Sequence, residues 1–144
     1  MLVRMELSRI LIRELNDFQL IELREVVEQP ADDANRRTFP IVIGLPEAQA
    51  IERRLKGVEI KRPQTHDLLD SVIGRLGGRL EKITISDLSD HTYYAILDVR
   101  RDTGDVVEID ARPSDAIALG IADRCPIWVE ETVLEAAGDE DPQD

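Results

Sequence analysis

The sequence predicts an α+β fold with a mixed, largely antiparallel sheet and about three helices. Apolar residues alternate with polar ones over short segments, and turn signals join some of these segments into hairpins. Single amphipathic segments with helical spacing separate the hairpins. Each half of the chain combines strands with a helix, which leaves open an internal duplication of two αβ halves.

The first half is predicted to contain three strands and one helix. Residues 3–12 and 18–27 are rich in Val, Ile and Leu and are expected to pair as a hairpin. A polar loop follows them, and Phe39–Ile43 then forms a third strand. Pro46 opens a helix that Gly57 ends, because proline fits the first helical turn and glycine the left-handed conformation beyond the last.

The second half is predicted to contain two helices and four strands. Thr65 is the expected N-cap of a helix that runs to about Leu76, and another helix spans about Ser114–Asp123. The turn Asp102-Thr-Gly-Asp105 predicts a hairpin. The four predicted strands are Leu80–Ser86, Tyr93–Arg100, Val106–Ala111 and Pro126–Glu130.

Length and composition indicate one compact domain. The 144 residues suffice for a sizeable core, which must be aliphatic because only 3% of the residues are aromatic. Aromatic scarcity also argues against a nucleic-acid platform on which successive bases stack. We predict a domain over residues 1–135 and an acidic, disordered tail over residues 136–144.

The compartment predicted from the sequence is the cytoplasm. No apolar run approaches the roughly 20 residues of a membrane span, and the N-terminus lacks the layout of a signal peptide. Contact with a membrane is therefore not expected. The single cysteine, Cys125, excludes an internal disulfide.

Charge is unevenly distributed along the chain. The net charge is −12, yet residues 36–82 hold ten Lys and Arg against six Asp and Glu. This basic middle contains the one candidate for a surface that faces phosphate groups, although charge alone favours a solvated helix surface with an adjoining loop. The five candidate side chains are Arg53, Arg54, Lys56, Lys61 and Arg62.

A short phrase occurs twice, fifty residues apart. Residues 62–69 read Arg-Pro-Gln-Thr-His-Asp-Leu-Leu, and residues 112–119 read Arg-Pro-Ser-Asp-Ala-Ile-Ala-Leu. In each copy the proline fixes the backbone at the start of a helix, so the preceding arginine leaves in a defined direction. Either the two helix starts meet in a solvent-accessible hollow, or they join two half-domains.

Candidate chemistry concentrates in these two copies. His66 stands beside Asp67 at a helix start, where a neutral imidazole acts as a base or a metal ligand. Asp110 lies two residues before Arg112, and both would project from one face of an extended strand. The alternative is structural: Asp110 and Arg112 form a plain ion pair, and Asp67 and Asp115 only cap helices.

These residues resemble the bifunctional nucleases, a bacterial and plant domain family credited with DNase and RNase activity. The resemblance extends from about Leu2 to Leu134. It implies an α+β domain that self-associates, at least as a homodimer, and a divalent-ion-dependent phosphodiesterase activity. It rests on Pro40–Gly44 with Glu47-Ala48, Arg62–Leu69, Tyr94-Ala95, Asp110–Leu119 and Pro126-Ile127.

For such an activity we assign roles to the matching residues. Asp67, Asp110 and Asp115 are expected to hold Mg²⁺ or Mn²⁺, because carboxylates suit these ions. His66 would activate water, and Arg62 and Arg112 would clamp the phosphate. The predicted catalytic residues are thus His66, Asp67 and Asp110. Glu47 is an additional candidate, and Arg53, Arg54, Lys56 and Lys61 complete the predicted substrate-binding set.

The predicted function is a metal-dependent nuclease that contacts the backbone of DNA and RNA with little sequence specificity. Two other functions compete with it. In one, the chain is a non-enzymatic regulatory or scaffolding domain whose Arg-Pro-Asp motifs are structural ion pairs. In the other, its arginines bind a small anionic metabolite.

Overall fold

One sheet and four helices make up the fold in a computed structural model that describes residues 1–13, 15–29 and 34–138. The strands are β1 (Leu2–Leu11), β2 (Gln19–Glu25), β3 (Thr38–Ile43), β4 (Gly78–Ser89), β5 (Thr92–Arg101), β6 (Val106–Ala111) and β7 (Ile127–Glu130). The helices are α1 (Leu45–Lys56), α2 (Thr65–Arg75), α3 (Pro113–Gly120) and α4 (Glu131–Gly138), and a short 3-10 turn (Ile121–Asp123) follows α3.

The sheet has the strand order β3-β2-β1-β7-β4-β5-β6. Every neighbouring pair is antiparallel except β4 and β7, which are parallel. The predicted α+β class and the mixed, largely antiparallel sheet are therefore confirmed. No helix within the described ranges has the length and apolarity that crossing a membrane requires.

Two three-stranded antiparallel meanders flank β7, and each is followed by a helix. The first meander, β1–β3, leads into α1, and the second, β4–β6, leads into α3. The Arg-Pro phrase opens α2 and α3, however, so its two copies occupy non-equivalent places in the two units. The repeated phrase therefore does not mark equivalent positions in the two αβ units.

The core is aliphatic, as the composition predicted. Ile83 and Ile85 on β4 and Ala95 on β5 are buried under α3, and seven of the eight residues of α3 are buried as well. Gly120 lets α3 approach the sheet, because a Cβ atom there would lie 2.9 Å from the Cδ1 of Ile83. The helix that follows the second Arg-Pro is thus the central helix of the domain.

The N-caps differ from the predicted ones. Gln64, not Thr65, is the N-cap of α2, and Arg112, not Ser114, is the N-cap of α3. The capping interaction at α2 comes from Asp67, whose Oδ2 accepts a hydrogen bond of 3.1 Å from the backbone N–H of Gln64. Ser114 lies inside its helix and is buried.

Among the described helices and strands, α4 is the one that the sequence did not predict. Its Val133 and Leu134 are buried, and the helix packs on β4 and β7. The predicted tail, residues 136–144, begins inside this helix. Residues 139–144 lie outside the described part of the chain.

Helix α2 is the most weakly buried of the three helices that the sequence predicted. Its apolar spacing indicated a core-facing helix, yet His66 is its one fully buried residue among those described. Ile73 packs partly against the core. The other apolar side chains of the segment are exposed, namely Leu68, Leu69, Val72 and Leu76.

Candidate functional site

The two Arg-Pro helix starts meet. Helix α2 packs against α3, and the Nε2 of His66 lies 2.9 Å from the Oδ1 of Asp115. His66 is the second residue of α2 and Asp115 the third of α3, so both side chains sit in first turns that the preceding segments hold in place. The predicted convergence of the two copies is thus observed.

Arg112 connects this pair to a third helix. Its Nε donates a hydrogen bond of 2.8 Å to the Oδ2 of Asp115, and its Nη2 lies 3.7 Å from the Oε2 of Glu47 in α1. Gly44 leaves room for Glu47, since a Cβ atom at Gly44 would come within 2.4 Å of that carboxylate. The structural alternative supposed an ion pair between Asp110 and Arg112. Arg112 instead pairs with Asp115 and Glu47.

Electrostatics keep Asp115 ionised. Burial alone would raise the pKa of Asp115, but hydrogen bonds from Arg112 and His66 outweigh it and hold the pKa below its ordinary value. The same hydrogen bond raises the pKa of Arg112. The result is a fixed carboxylate between an imidazole and a guanidinium group.

Asp67 faces a different set of partners. Its Oδ1 accepts hydrogen bonds of 2.5 Å from the Nη1 of Arg54 and of 3.3 Å from the Nη1 of Arg53, and its Oδ2 lies 2.9 Å from the Nη2 of Arg53. Burial would raise the pKa of Asp67, yet its hydrogen bonds to Arg53, the Gln64 backbone and Arg54 lower it. Asp67 joins α2 to α1.

Arg54 is a structural residue rather than a surface contact for phosphate. Its side chain is 6% exposed. The Nε donates to the carbonyl oxygen of Ala118 at 2.6 Å, and the Nη2 donates to that of Leu119 at 2.9 Å. Arg54 therefore satisfies two carbonyl groups at the end of α3 while it binds Asp67, and the prediction that it binds substrate is wrong.

The rest of the basic middle is divided. Lys56 pairs with Glu52 on the exposed side of α1, and Lys61 and Arg62 are exposed in the segment between α1 and α2. A groove opens beside His66, between α1, α2 and the sheet. None of these three residues lines it, whereas Arg53 does. The predicted pairing of Arg62 with Arg112 as a phosphate clamp is not formed.

The three aspartates that were predicted to hold a metal are not brought together. Both oxygens of Asp67 face arginines, and both oxygens of Asp115 are engaged by His66 and Arg112. Asp110 is exposed at the end of β6. Across residues 1–13, 15–29 and 34–138, no three His, Cys, Asp or Glu side chains are grouped so as to hold a metal ion. A preformed site for Mg²⁺ or Mn²⁺ does not fit this arrangement.

The groove has a volume of about 840 Å³. It starts at the polar cluster of Glu47, His66, Arg112 and Asp115 and lies between the helices and the edge of the sheet. Antiparallel pairing places Ile109 of β6 and Leu97 of β5 on one face, and Leu69 and Ile73 of α2 lie opposite them. Ala50 and Pro46 of α1 and Ala111 of β6 complete the apolar lining. The polar residues that border the groove are Glu47, Gln49, Arg53, Gln64, Thr65, His66, Asp110, Arg112 and Asp115.

One contact of the site, between Glu47 and Arg112, had no interpretable signal in the sequence. Glu47 and Arg112 are far apart in the chain, and no spacing rule connects them. The burial of Arg54 did leave a signal: Ala48, Ile51 and Arg54 recur every three residues, which places Arg54 on the buried face of α1.

Comparison with known proteins assigns the chain to a recognised family of domains. Residues 30–141 match the family described as the Bifunctional nuclease domain. An uncharacterized protein of Mycobacterium tuberculosis, found in strains CDC 1551 and H37Rv, is 42% identical over 120 residues. That match spans 78% of this chain and 71% of the relative.

More distant matches come from plants. Proteins named Bifunctional nuclease 2 from Oryza sativa subsp. japonica and Arabidopsis thaliana are 24% and 23% identical over 130 and 109 residues. The matches span 85% and 74% of this chain, but 40% and 33% of the plant proteins.

Proposed function

Because the chain belongs to the bifunctional nuclease domain family, we propose that it hydrolyses phosphodiester bonds of DNA and RNA with little sequence specificity. The contact between His66 and Asp115 in a groove carries the proposal. A carboxylate that orients an imidazole is a common arrangement for a general base. The name of the plant relatives supports the same reaction.

His66 is the proposed general base. When Nε2 carries the proton, it donates to Asp115, and Nδ1 holds the lone pair that accepts a proton from water. The water oxygen then forms a bond to phosphorus as the bond from phosphorus to the leaving oxygen breaks, and the leaving oxygen takes a proton from solvent. Asp115 fixes the tautomer of the imidazole and stabilises the imidazolium that results.

Arg112 is the proposed phosphate-binding residue. Its side chain is 65% exposed, and Asp115 and Glu47 fix the direction of its guanidinium group. A guanidinium group binds two phosphate oxygens at once and stabilises the charge that develops in the transition state. Arg53, which borders the groove, is the second candidate for contact with the backbone.

The need for a divalent ion stays a prediction. Three carboxylates but two guanidinium groups border the groove beside His66, so a phosphate would meet an excess of negative charge unless a cation accompanied it. Asp110 is the carboxylate of the predicted set whose side chain has no hydrogen bond or ion pair within the described ranges. We assign no step of the reaction to the ion. The groups counted are Glu47, Asp110 and Asp115 against Arg53 and Arg112.

The experiment measures cleavage of plasmid DNA and of RNA with and without EDTA. We expect His66→Ala to reduce the rate by about a hundredfold or more, and Mg²⁺ or Mn²⁺ to restore the activity that EDTA removes. His91→Ala is the matched control, since His91 lies in the turn between β4 and β5, away from the groove. Equal activity of the wild type, His66→Ala and Asp110→Asn would mean that the assigned site is wrong.

A non-enzymatic scaffolding function is the second candidate. The observation that favours it is the buried contact of Arg54 with Asp67, which is a structural ion pair of the kind that interpretation requires. The two candidates differ at Asp115. As a scaffold residue, Asp115 is needed for folding alone, so Asp115→Asn would lower the melting temperature without any separate effect on cleavage.

Self-association is proposed through the outer face of α2. Leu68, Val72 and Leu76 follow one another at four-residue intervals and form an apolar ridge beside the groove. Contiguous exposed apolar side chains on a soluble domain mark an interaction surface. A second copy of this chain, packing its own ridge against the first, would bury both.

A further inference from the structure

We propose that the apolar part of the groove binds one unstacked nucleobase beside the phosphate that is cleaved, so that the preferred substrate is single-stranded. This inference rests on the proposed function and names the substrate of the same site. It concerns the apolar lining, formed by Leu69 and Ile73 of α2 with Leu97 and Ile109 of the sheet.

The apolar lining begins next to the polar cluster. Leu69 follows His66 by three residues, almost one helical turn, and Ile109 precedes Arg112 by three residues at the end of β6. A ligand whose phosphate contacts Arg112 would therefore place its neighbouring group between Leu69 and Ile109. In a nucleic acid the neighbouring groups are a sugar and a base.

The fold leaves part of this apolar lining exposed to water. Leu69 is 40% exposed and Ile109 is 41% exposed, although both face a concavity rather than open solvent. A flat, largely apolar ring that entered between them would remove their remaining apolar surface from water. The groove volume of about 840 Å³ is ample for one nucleotide.

The polar rim suits a base of any type. Gln49, Gln64 and Thr65 border the groove and offer amide and hydroxyl groups, each of which donates and accepts hydrogen bonds. Exposed side chains of this kind adapt to different base edges. Recognition of a base without selection of its identity agrees with a nuclease of low sequence specificity.

The stacking of bases within a duplex is the reason that the groove would prefer single strands. In a duplex the faces of each base are covered by its neighbours, and a base reaches such a groove only after it has been extruded. The net charge of −12 also disfavours an extended contact with two phosphate backbones. The 3% of aromatic residues excludes a platform for successive bases, but not one base between aliphatic side chains.

The test is a binding measurement with strands that resist hydrolysis. Phosphorothioate single strands, their duplexes, and single strands with abasic sites are labelled with fluorescein and titrated with the full chain. The abasic strand keeps the backbone charge and lacks the bases. We expect the normal single strand to bind about tenfold more tightly than either of the others.

Two variants locate the effect in the groove. Leu69→Ser should abolish most of the preference for the normal single strand. Leu55→Ser is the matched control, because Leu55 is 51% exposed on α1 and does not line the groove. It should bind all three ligands as the wild type does.

Two outcomes separate this inference from the proposed function. Equal binding of the three ligands, no binding, or the same preference in Leu69→Ser and Leu55→Ser would overturn the base-binding groove, whatever the cleavage results. Cleavage that is insensitive to His66→Ala would overturn the proposed reaction, while a base-dependent binding preference would still support the groove.

Discussion

His66 and Asp115 come from different helices and are 49 residues apart in the chain, yet Nε2 and Oδ1 lie 2.9 Å from each other. The contact explains why a similar helix start occurs twice. The first copy supplies an imidazole and the second a carboxylate, and the arginine of the second copy holds that carboxylate from its other oxygen. The two copies have different tasks.

The first prediction concerns Arg54, which we expect to be a major source of stability. Arg54→Met leaves the carbonyl groups of Ala118 and Leu119 without their donor, and it leaves the Oδ1 of Asp67 with the longer hydrogen bond from Arg53 alone. We expect the free energy of unfolding to fall by about 3 kcal/mol or more. Urea denaturation measures it.

Lys56→Met provides the control for that experiment. Lys56 is two residues further along α1 and forms an exposed ion pair with Glu52. Its loss should change the free energy of unfolding by less than about 0.5 kcal/mol. Equal effects of the two substitutions would contradict the structural role of Arg54.

The second prediction concerns acid. The pKa of Asp67 is lower in the folded protein than in the unfolded chain, so the unfolded state binds more protons as the pH falls. The stabilisation is complete above the unfolded pKa of about 4 and is lost as the pH drops below it through the lower pKa of the folded state.

We therefore expect the urea midpoint of the wild type to decline over that range, and to decline less steeply in Asp67→Asn. The carboxylate of Asp115 behaves in the same direction, so the double variant with Asp115→Asn should be flatter still. A decline of the same slope in all three proteins would show that these carboxylates are not held below their ordinary pKa.

The third prediction concerns contact with the backbone. Arg112→Ala should weaken binding of single strands of different sequence by a similar factor, because a phosphate contact carries no sequence information. The plot of log affinity against log salt should lose about 0.7 from its slope, which corresponds to one phosphate. Arg75→Ala, at the exposed end of α2, is the control that should keep the wild-type slope.

The fourth prediction concerns the ridge on α2. Val72→Glu and Leu76→Glu each place a carboxylate on the apolar ridge of Leu68, Val72 and Leu76. Across a two-fold interface that charge would be buried near its own copy, which is costly. Sedimentation velocity should show the wild type as an oligomer and both variants as monomers. An oligomer that persists in both, or a wild type that is already monomeric, rules the ridge out as the interface.

Strand and helix positions were largely predictable because they depend on local patterns. The hairpin of β5 and β6 follows from its turn, and α1 follows from Pro46 and Gly57, with Gly57 in the left-handed conformation at φ 65°. Helix α4 was missed because its acidic, alanine-containing sequence is similar to that of a solvated tail. Its burial comes from β4 and β7, which local patterns do not reveal.

Family membership and the meeting of the two helix starts were also predictable, and both are confirmed. The partners within the site were not. Asp67 and Asp115 occupy similar positions in similar phrases, but α1 supplies arginines to the first and only Glu47 to the neighbourhood of the second. Tertiary packing, rather than the motif, determines which aspartate remains beside the groove.

The most direct test of the central claim compares single-turnover cleavage of a labelled single strand by the wild type and by Asp115→Asn. Both proteins are first matched for folding by circular dichroism. We expect Asp115→Asn to retain its fold and to cleave at least about a hundredfold more slowly, because His66 loses the carboxylate that orients it. Cleavage by folded Asp115→Asn at the wild-type rate would contradict it.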